Sequence, residues 1–153
     1  GTLLAFQGRA LRDSKIRYIT IKLAEDSIKI FGLNKVNKQE KVYVTEGPID
    51  SLFLPNAVAT ADANLINAVN YISKDKLVLL FDNEPRNKDI CKLMDKAIEE
   101  HFQICIWPEM VKEKDINEMI LAGFTSEELI DIIDKNTFVN LRAKFEFIQW
   151  KKV

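Results

Sequence analysis

The chain has 153 residues, 47% of them hydrophobic, and a formal net charge of −1, so it is long enough for one full core and too short for two ordinary ones. It contains no apolar run of about 18 residues and no signal-peptide pattern, which predicts a cytoplasmic protein without membrane contact. Cys91 and Cys105 are its only cysteines and His101 its only histidine, and their spacing argues against a structural zinc site.

Residues 1–40 are predicted to form a basic, β-rich segment. The first 38 residues contain eight Lys or Arg and three acids, whereas the remainder contains fourteen and twenty. Alternating apolar and polar residues predict strands at residues 4–6 and 17–22. Four basic residues occupy the turn between them: Arg9, Arg12, Lys15 and Arg17. A basic segment joined to an acidic body suits nucleic-acid phosphates beside a metal site, although charged faces are more often solvated surface.

From residue 41 onward, strand-like and helix-like runs alternate. The strand-like runs lie at residues 42–44, 57–59, 77–81 and 103–107, and the helix-like runs at 49–54, 65–72 and 90–98. This alternation predicts an α/β fold with a mainly parallel central sheet, right-handed crossovers and helices on both faces. We assign residues 41–123 to this core.

Residues 124–153 are predicted to form C-terminal helices. Thr125 and Glu128 make a capping box, so one helix should begin near Ser126. A second helix is indicated by four apolar residues at spacings of three and four: Phe138, Leu141, Phe145 and Ile148. We expect this stripe to pack in the core rather than to dock a partner.

Acidic side chains follow three of the predicted strands, at the edge where an open α/β sheet collects ligands. Glu46 and Gly47 follow the first strand. Gly47 allows close backbone approach to a ligand, and Asp50 lies in the first turn of the next helix, where an anion is tolerated. Asp82 and Glu84 follow the second strand, and their side chains point to the same side if the backbone stays extended.

The third acidic group follows the last predicted strand, where Lys114, Asp115 and Asn117 begin a short helix. Any one of these acids alone would be more typical of a turn or a helix cap. Three acidic strand ends in one α/β unit instead favour a shared function. Converging carboxylates repel one another unless a cation neutralises them, and Mg²⁺, with Mn²⁺ as a substitute, prefers such oxygen ligands.

The sequence resembles the Toprim domain that primases, topoisomerases and some nucleases share. Three strings carry the resemblance: VTEGPIDSL at residues 44–52, LLFDNEP at 79–85 and KDINE at 114–118. Three more are similar to the stretch that precedes Toprim in primases of T-even-type bacteriophages: FQGRAL at 6–11, YITI at 18–21 and IFG at 30–32. One departure is Asp82-Asn83-Glu84, which stands where the usual pattern is Asp-x-Asp.

This resemblance implies the catalytic core of a DNA primase, which makes short RNA primers from ribonucleoside triphosphates on single-stranded DNA, alongside a hexameric replicative helicase. Residues 1–40 would be the end of the N-terminal subdomain of its RNA polymerase part. The carboxylates that would bind Mg²⁺ and act in catalysis are Glu46, Asp82, Glu84 and Asp115. Supporting residues would be Gly47, Asp50, Lys114 and Asn117. Template or nucleotide phosphates would be held by Arg9, Arg12, Lys15 and Arg17.

Two other functions stay open at this point. A Toprim nuclease would cut phosphodiester bonds with the same acids, but the primase-like strings in the basic segment speak against it. A catalytically silent Toprim scaffold would only bind nucleic acid or a partner protein, yet a scaffold has no need for unpaired acids at three strand ends. A topoisomerase is disfavoured, because the three tyrosines are predicted to pack in strands or helices: Tyr18, Tyr43 and Tyr71.

Overall fold

Seven strands form two sheets in the computed structural model, which describes residues 3, 5–22 and 29–153. An antiparallel hairpin consists of β1 (Ala5–Arg9) and β2 (Tyr18–Lys22). The central sheet contains β3 (Val42–Thr45), β4 (Ala57–Ala59), β5 (Leu77–Leu79), β6 (Gln103–Cys105) and β7 (Thr137–Phe138). Its strand order is β4-β3-β5-β6-β7. All neighbouring pairs are parallel except β6 and β7, which are antiparallel.

Five α-helices connect or follow these strands in the described part of the chain. They are α1 (Pro48–Ser51), α2 (Lys88–Glu99), α3 (Ile116–Leu121), α4 (Ser126–Lys135) and α5 (Asn140–Trp150). Two 3-10 helices, Leu65–Asn70 and Lys74–Lys76, lie between β4 and β5. The chain therefore alternates strand and helix through most of its length, as an α/β fold requires.

Helices cover both faces of the central sheet, because successive side chains of a strand point in opposite directions. Val42 and Val44 belong to the core cluster shared with α2 and α5. Tyr43, between them, belongs to the cluster shared with α3 and α4. Every residue of β3 and β5 is buried. The predicted α/β fold, with a mainly parallel sheet flanked by helices and a small N-terminal β segment, is confirmed.

The strand order creates a switch point between β3 and β5. From β3 the chain moves outward to β4, returns past β3 to β5 and then continues to β6. The segments that follow β3 and β5 therefore diverge, which opens a crevice at the carboxyl edge of the sheet. Glu46 directly follows β3, and Asp82 lies in the segment after β5. The topology thus brings two of the predicted acids to the same crevice.

Some predicted elements differ in their bounds. The strand predicted at residues 77–81 ends at Leu79, although the next two residues are still buried. The helix predicted at residues 65–72 is a 3-10 helix without a side-chain cap at its start, since its asparagines favour local hydrogen bonds over an α-helix. Leu4, in the first predicted strand, lies outside the described residues.

The predicted core stripe of the C-terminal helix is wrong. Phe138 belongs to β7, and Asn140 begins α5 with a positive φ of 56° that turns the chain after that strand. The other three residues of the stripe are 83%, 56% and 63% exposed: Leu141, Phe145 and Ile148. Ala143 and Phe147 are buried instead, in the same core cluster as α2. The pairing of β7 sets the rotation of α5, and the spacing of apolar residues alone does not contain that information.

The division of the chain at residues 40 and 123 stays a prediction. β7, beyond the second boundary, is part of the central sheet. Phe31, before the first boundary, forms an antiparallel bridge with Ala59 of β4.

Across residues 3, 5–22 and 29–153, no helix combines the length and the apolar character needed to cross a lipid bilayer.

Replacing Thr125 with Ala should destabilise the fold, because it removes the capping box of α4. Thr125 Oγ1 accepts a hydrogen bond from the backbone N–H of Glu128 at 3.1 Å, and the Glu128 carboxylate accepts from the Thr125 backbone N–H in return. The loss should be about 1 kcal/mol, measured by urea unfolding. Thr125→Ser keeps the hydroxyl and should match the wild type. Equal destabilisation by both substitutions would contradict the capping role.

Candidate active site

A cleft of about 910 Å³ lies between the N-terminal hairpin and the carboxyl edge of the central sheet. All of the predicted site residues except Glu84 line it: Arg9, Arg12, Lys15, Arg17, Glu46, Gly47, Asp50, Asp82, Lys114, Asp115 and Asn117. We call Glu46, Asp82 and Asp115 the strand-end acids, because each of them follows a strand of the central sheet. The fold therefore brings residues from distant parts of the sequence to one cleft, which is acidic on the sheet side and basic on the hairpin side.

Glu46 begins the turn from β3 into α1. Its backbone carbonyl accepts a hydrogen bond from the Ala61 N–H at 2.9 Å, which joins the loops after β3 and β4. A Cβ at Gly47 would lie 2.9 Å from Asp50 Oδ2. The group that packs closely against this glycine is therefore the Asp50 carboxylate. Asp50 is only 9% exposed, and its Oδ1 accepts from the backbone N–H of Asn117 at 2.8 Å.

The backbone is not extended from Asp82 to Glu84. The backbone N–H of Glu84 donates to the Asp82 carbonyl at 2.8 Å, so the chain bends at Asn83 in a three-residue turn. Asp82 lines the cleft, whereas Glu84 lies 3.8 Å from Lys114 Nζ and accepts from Asn87 Nδ2 at 3.3 Å. The expectation of two side chains on the same side required an extended backbone, and this condition is not met, so the two-residue period does not apply here.

Asp115 forms the N-cap of α3. Its Oδ1 accepts a hydrogen bond from the Glu118 backbone N–H at 2.8 Å, and Glu118 Oε2 accepts from the Lys114 backbone N–H at 3.0 Å. This is the ordinary role of an acid at the start of a helix. The capping bond uses one of the two carboxylate oxygens, so the other can still contact a ligand in the cleft.

Burial and mutual repulsion raise the pKa values of several acids in the cleft. The pKa of Asp82 rises to about 7, because of burial first and then of the charges of Glu46, Asp50 and Asp115. Burial also raises the pKa of Asp50 to about 6, although the hydrogen bond from Asn117 opposes the change. The pKa of Glu46 is raised, again chiefly by burial. Clustered acids with raised pKa values in a cleft are typical of functional sites.

Nearby cations offset part of this repulsion. Lys114 lowers the pKa of both Glu46 and Asp82, and Arg9 of the hairpin lowers that of Asp50. Among the ion pairs of the described residues, none contains a strand-end acid. These carboxylates are therefore not neutralised by an arginine within that part of the chain, and they can attract a cation from solution.

The donor set of the cleft fits Mg²⁺, which prefers oxygen ligands and keeps much of its water shell. The described residues nevertheless contain no group of three His, Cys, Asp or Glu side chains arranged to hold a metal ion. The strand-end acids affect one another's pKa without forming a closed coordination shell. This spacing suits an ion held by one or two carboxylates, by water and by substrate phosphates. Metal binding itself stays a prediction.

The four basic residues of the cleft lie on the hairpin. Arg9 ends β1, Arg17 directly precedes β2, and Arg12 and Lys15 lie in the loop between them; all four are exposed. The Arg9 guanidinium lies 5.7 Å from the centroid of the Tyr18 ring, a cation–π contact that restrains it. Exposed cations beside an acidic cleft suit phosphate groups, and phosphate binding by these residues stays a prediction.

Sequence reasoning missed two candidate residues. Asp62 follows β4 at the same edge of the sheet, and its charge raises the pKa of Glu46. The strand-end rule that selected the other acids could have found it, since a strand was predicted at residues 57–59. Asn83 is the second, because its side chain bonds to two other segments of the chain. Its place between two acids is the only sequence signal, and it does not reveal those contacts.

A comparison with known proteins finds a relative that is similar to this chain over its whole length. The chain is similar to the DNA primase of Enterobacteria phage T4, with 38% identity over 157 aligned residues that cover 100% of this chain and 45% of that primase. It therefore spans less than half the length of this relative. No family model matches the chain, so the Toprim resemblance rests on the motifs and the Toprim-like fold. The identity shows that the chain is related to T4-type DNA primases.

Gly47→Ala should destabilise the protein. The new Cβ would displace the Asp50 carboxylate and break its 2.8 Å hydrogen bond with the Asn117 backbone, at a cost of about 1 to 3 kcal/mol. Gly8→Ala is a matched control, because a Cβ at Gly8 would meet nothing within 4 Å. Urea unfolding of both variants measures the difference. A Gly47→Ala protein as stable as the wild type would show that the close contact is not required.

Without divalent cations, the protein should lose stability as pH rises from the ordinary Asp pKa of 3.8 to about 7. In this window the folded state keeps protons that the unfolded chain has released, so the free energy of unfolding falls with pH. The side chain in Asp82→Asn is neutral at every pH. Between pH 5 and pH 8, the free energy of unfolding should therefore fall less in this variant than in the wild type, by on the order of 1 to 2 kcal/mol after allowance for solvent screening. Urea unfolding in the presence of a chelator, at both pH values, tests this prediction. An equal change in the free energy of unfolding with pH in the wild type and the variant would refute it.

Proposed function

We propose that this chain is the catalytic core of a DNA primase, and that its cleft makes short RNA primers on single-stranded DNA from ribonucleoside triphosphates. One observation carries the proposal. Strand-end acids from three loops and the basic hairpin line a single cleft, in a chain related over its whole length to a phage DNA primase. An acidic surface that can bind a cation, next to cations that can bind phosphates, is what nucleotidyl transfer requires.

In the proposed reaction, the 3′-hydroxyl of the growing primer attacks the α-phosphate of the incoming nucleotide, and pyrophosphate leaves. Mg²⁺ would be held by Glu46, Asp82 and Asp115, with Glu84 at the margin of the site beside Lys114. A bound Mg²⁺ supplies positive charge that favours the attacking alkoxide and neutralises the transferring phosphate. The carboxylates orient the reacting groups through their fixed places on the sheet edge, since Asp115 and Asp50 are held by backbone N–H donors.

The hairpin would bind the nucleic acid or nucleotide phosphates. Its four exposed cations line the same cleft as the acids. Phosphate binding by Lys and Arg is largely independent of sequence and weakens with salt. In this proposal, the cations of the hairpin attract the phosphates, and the carboxylates at the sheet edge take part in the phosphoryl transfer. Residues 1–40 would then be the end of the preceding primase subdomain, residues 41–123 the Toprim core and residues 124–153 its C-terminal helices.

The relationship to a phage DNA primase supports a further part of the proposal, which concerns the protein as a whole. The primase would act in the cytoplasm of the infected bacterial cell, without membrane contact. A hexameric replicative helicase would be its partner. Mn²⁺ would substitute for Mg²⁺, because both ions accept carboxylate, water and phosphate oxygens.

A catalytically silent scaffold is the second candidate, and the open spacing of the acids is the observation that favours it. A scaffold would bind single-stranded DNA without binding a divalent ion in the cleft. Calorimetric titration with Mn²⁺ separates the two. The primase proposal requires saturable binding that Asp82→Ala weakens, and the scaffold requires neither.

Glu46→Gln should leave the fold intact and reduce primer synthesis on the order of 100-fold to 1,000-fold, the effect of removing one electrostatic contributor from an active site. The assay follows labelled ribonucleotides on a single-stranded template in the full protein that contains this chain. Glu109→Gln is a matched control, because Glu109 is exposed and does not line the cleft.

Wild-type priming by Glu46→Gln would overturn the assignment. Incubation with labelled DNA without nucleotides tests the nuclease alternative in the same samples, and cleavage that depends on Glu46 would replace primase by nuclease.

A further inference from the structure

Asn83 lies between two of the proposed catalytic acids, Asp82 and Glu84, and it forms hydrogen bonds with the segment that leads to another one, Asp115. Its backbone N–H donates to the Lys114 carbonyl at 2.6 Å. Its side-chain Nδ2 donates to the carbonyls of Val111 at 3.0 Å and of Glu113 at 3.1 Å. These three hydrogen bonds join the turn that carries Asp82 to the segment that ends at Asp115.

The same side chain also bonds to the C-terminal helix. Asn83 Oδ1 accepts a hydrogen bond from the indole N–H of Trp150 at 3.0 Å. Trp150 is the last residue of α5 and stacks on Phe147, with ring centroids 6.2 Å apart. Just beyond the helix, the backbone N–H of Lys152 donates to the Pro85 carbonyl at 2.8 Å. The end of α5 therefore holds the acidic turn on both sides of Glu84.

Only an asparagine amide satisfies all of these partners in its present orientation. The two carbonyls can only accept, so they require the amide NH₂, and the indole N–H can only donate, so it requires the amide oxygen. An aspartate at position 83 would place a carboxylate against two carbonyl oxygens. An alanine would leave the indole N–H and both carbonyls without this partner. The amide orientation follows from the chemistry of its neighbours.

We infer that Asn83 and Trp150 are positioning residues for the proposed divalent-cation site, and that α5 sets the place of Asp82 relative to Asp115 through the Asn83 side chain. The inference rests on the proposed function, because it concerns the same acids. Groups that orient metal ligands without contacting the metal typically change metal affinity by about 10-fold to 100-fold when they are removed. The C-terminal helix is then part of the site, although its own side chains do not line the cleft.

The test is a double-mutant cycle on Mn²⁺ affinity, measured by calorimetry on the whole chain. Trp150→Phe keeps an aromatic ring beside Phe147 but removes the indole N–H together with the second ring, and it should weaken Mn²⁺ binding about 10-fold. Asn83→Ala should weaken it by about 10-fold to 100-fold. If Trp150 acts through Asn83, the double variant should bind like Asn83→Ala alone, since the two effects are not additive.

A structural control separates positioning from general loosening of the fold. Ile98, near the end of α2, is 4% exposed in the core cluster that α2 shares with α5. The chain just after α2 meets the start of α5, where His101 Nδ1 hydrogen-bonds with Asn140 Oδ1, so Ile98 lies at the opposite end of α5 from Trp150. Ile98→Val should lower the melting temperature and leave Mn²⁺ affinity within about twofold of the wild type, because substitutions at distant sites without a shared partner act independently. Circular dichroism checks that each variant folds. Trp150→Phe is the milder change and keeps the test valid if Asn83→Ala does not fold.

The outcomes distinguish this inference from the proposed function beneath it. A wild-type chain without saturable Mn²⁺ binding would overturn the proposed function and the inference with it. A wild type that binds Mn²⁺, together with a Trp150→Phe variant that binds equally well, would overturn the inference alone. The same holds if the loss of affinity in the double variant equals the product of the two single losses, or if Ile98→Val weakens binding as much as Trp150→Phe does.

Discussion

Repulsion among carboxylates at one edge of the sheet is the constraint on which the rest of the site depends. Asp50 and Asp82 have pKa values of about 6 and about 7 because burial and neighbouring acids disfavour their charged forms. Such a group of acids lowers the stability of the folded chain near neutral pH unless positive charge reaches it. Lys114 and Arg9 supply part of that charge, and the cleft leaves room for more.

The fold keeps these acids together with hydrogen bonds from the backbone rather than with ion pairs. Asp50 and Asp115 each accept from an N–H of α3, and Asn83 ties the turn after β5 to the segment before that helix. Backbone donors hold a carboxylate in place without cancelling its charge, whereas an arginine would do both. A cluster held in this way can still respond to a cation or to the phosphates of a nucleotide.

Most of the fold could be predicted, because its signals are local. Buried strands of continuous apolar residues, such as β3 and β5, are recognisable wherever they occur, and the capping box at Thr125 places the start of α4 correctly. The exposed stripe on α5 could not be predicted. Which side of a helix is buried depends on the strand before it and on the helix beside it, here β7 and α2, and neither contact is recorded in the spacing of α5 itself.

The sequence by itself determined that acids follow the strands of an α/β sheet, because strand periodicity and strand-end position are properties of short segments. From that rule alone, Glu46, Asp82 and Asp115 could be expected at one edge. Only the tertiary structure decided that the chain bends at Asn83, and that Glu84 lies beside Lys114 without lining the cleft itself. That bend is held by carbonyls and an indole from distant segments, and contacts between distant segments exist only once the chain has folded.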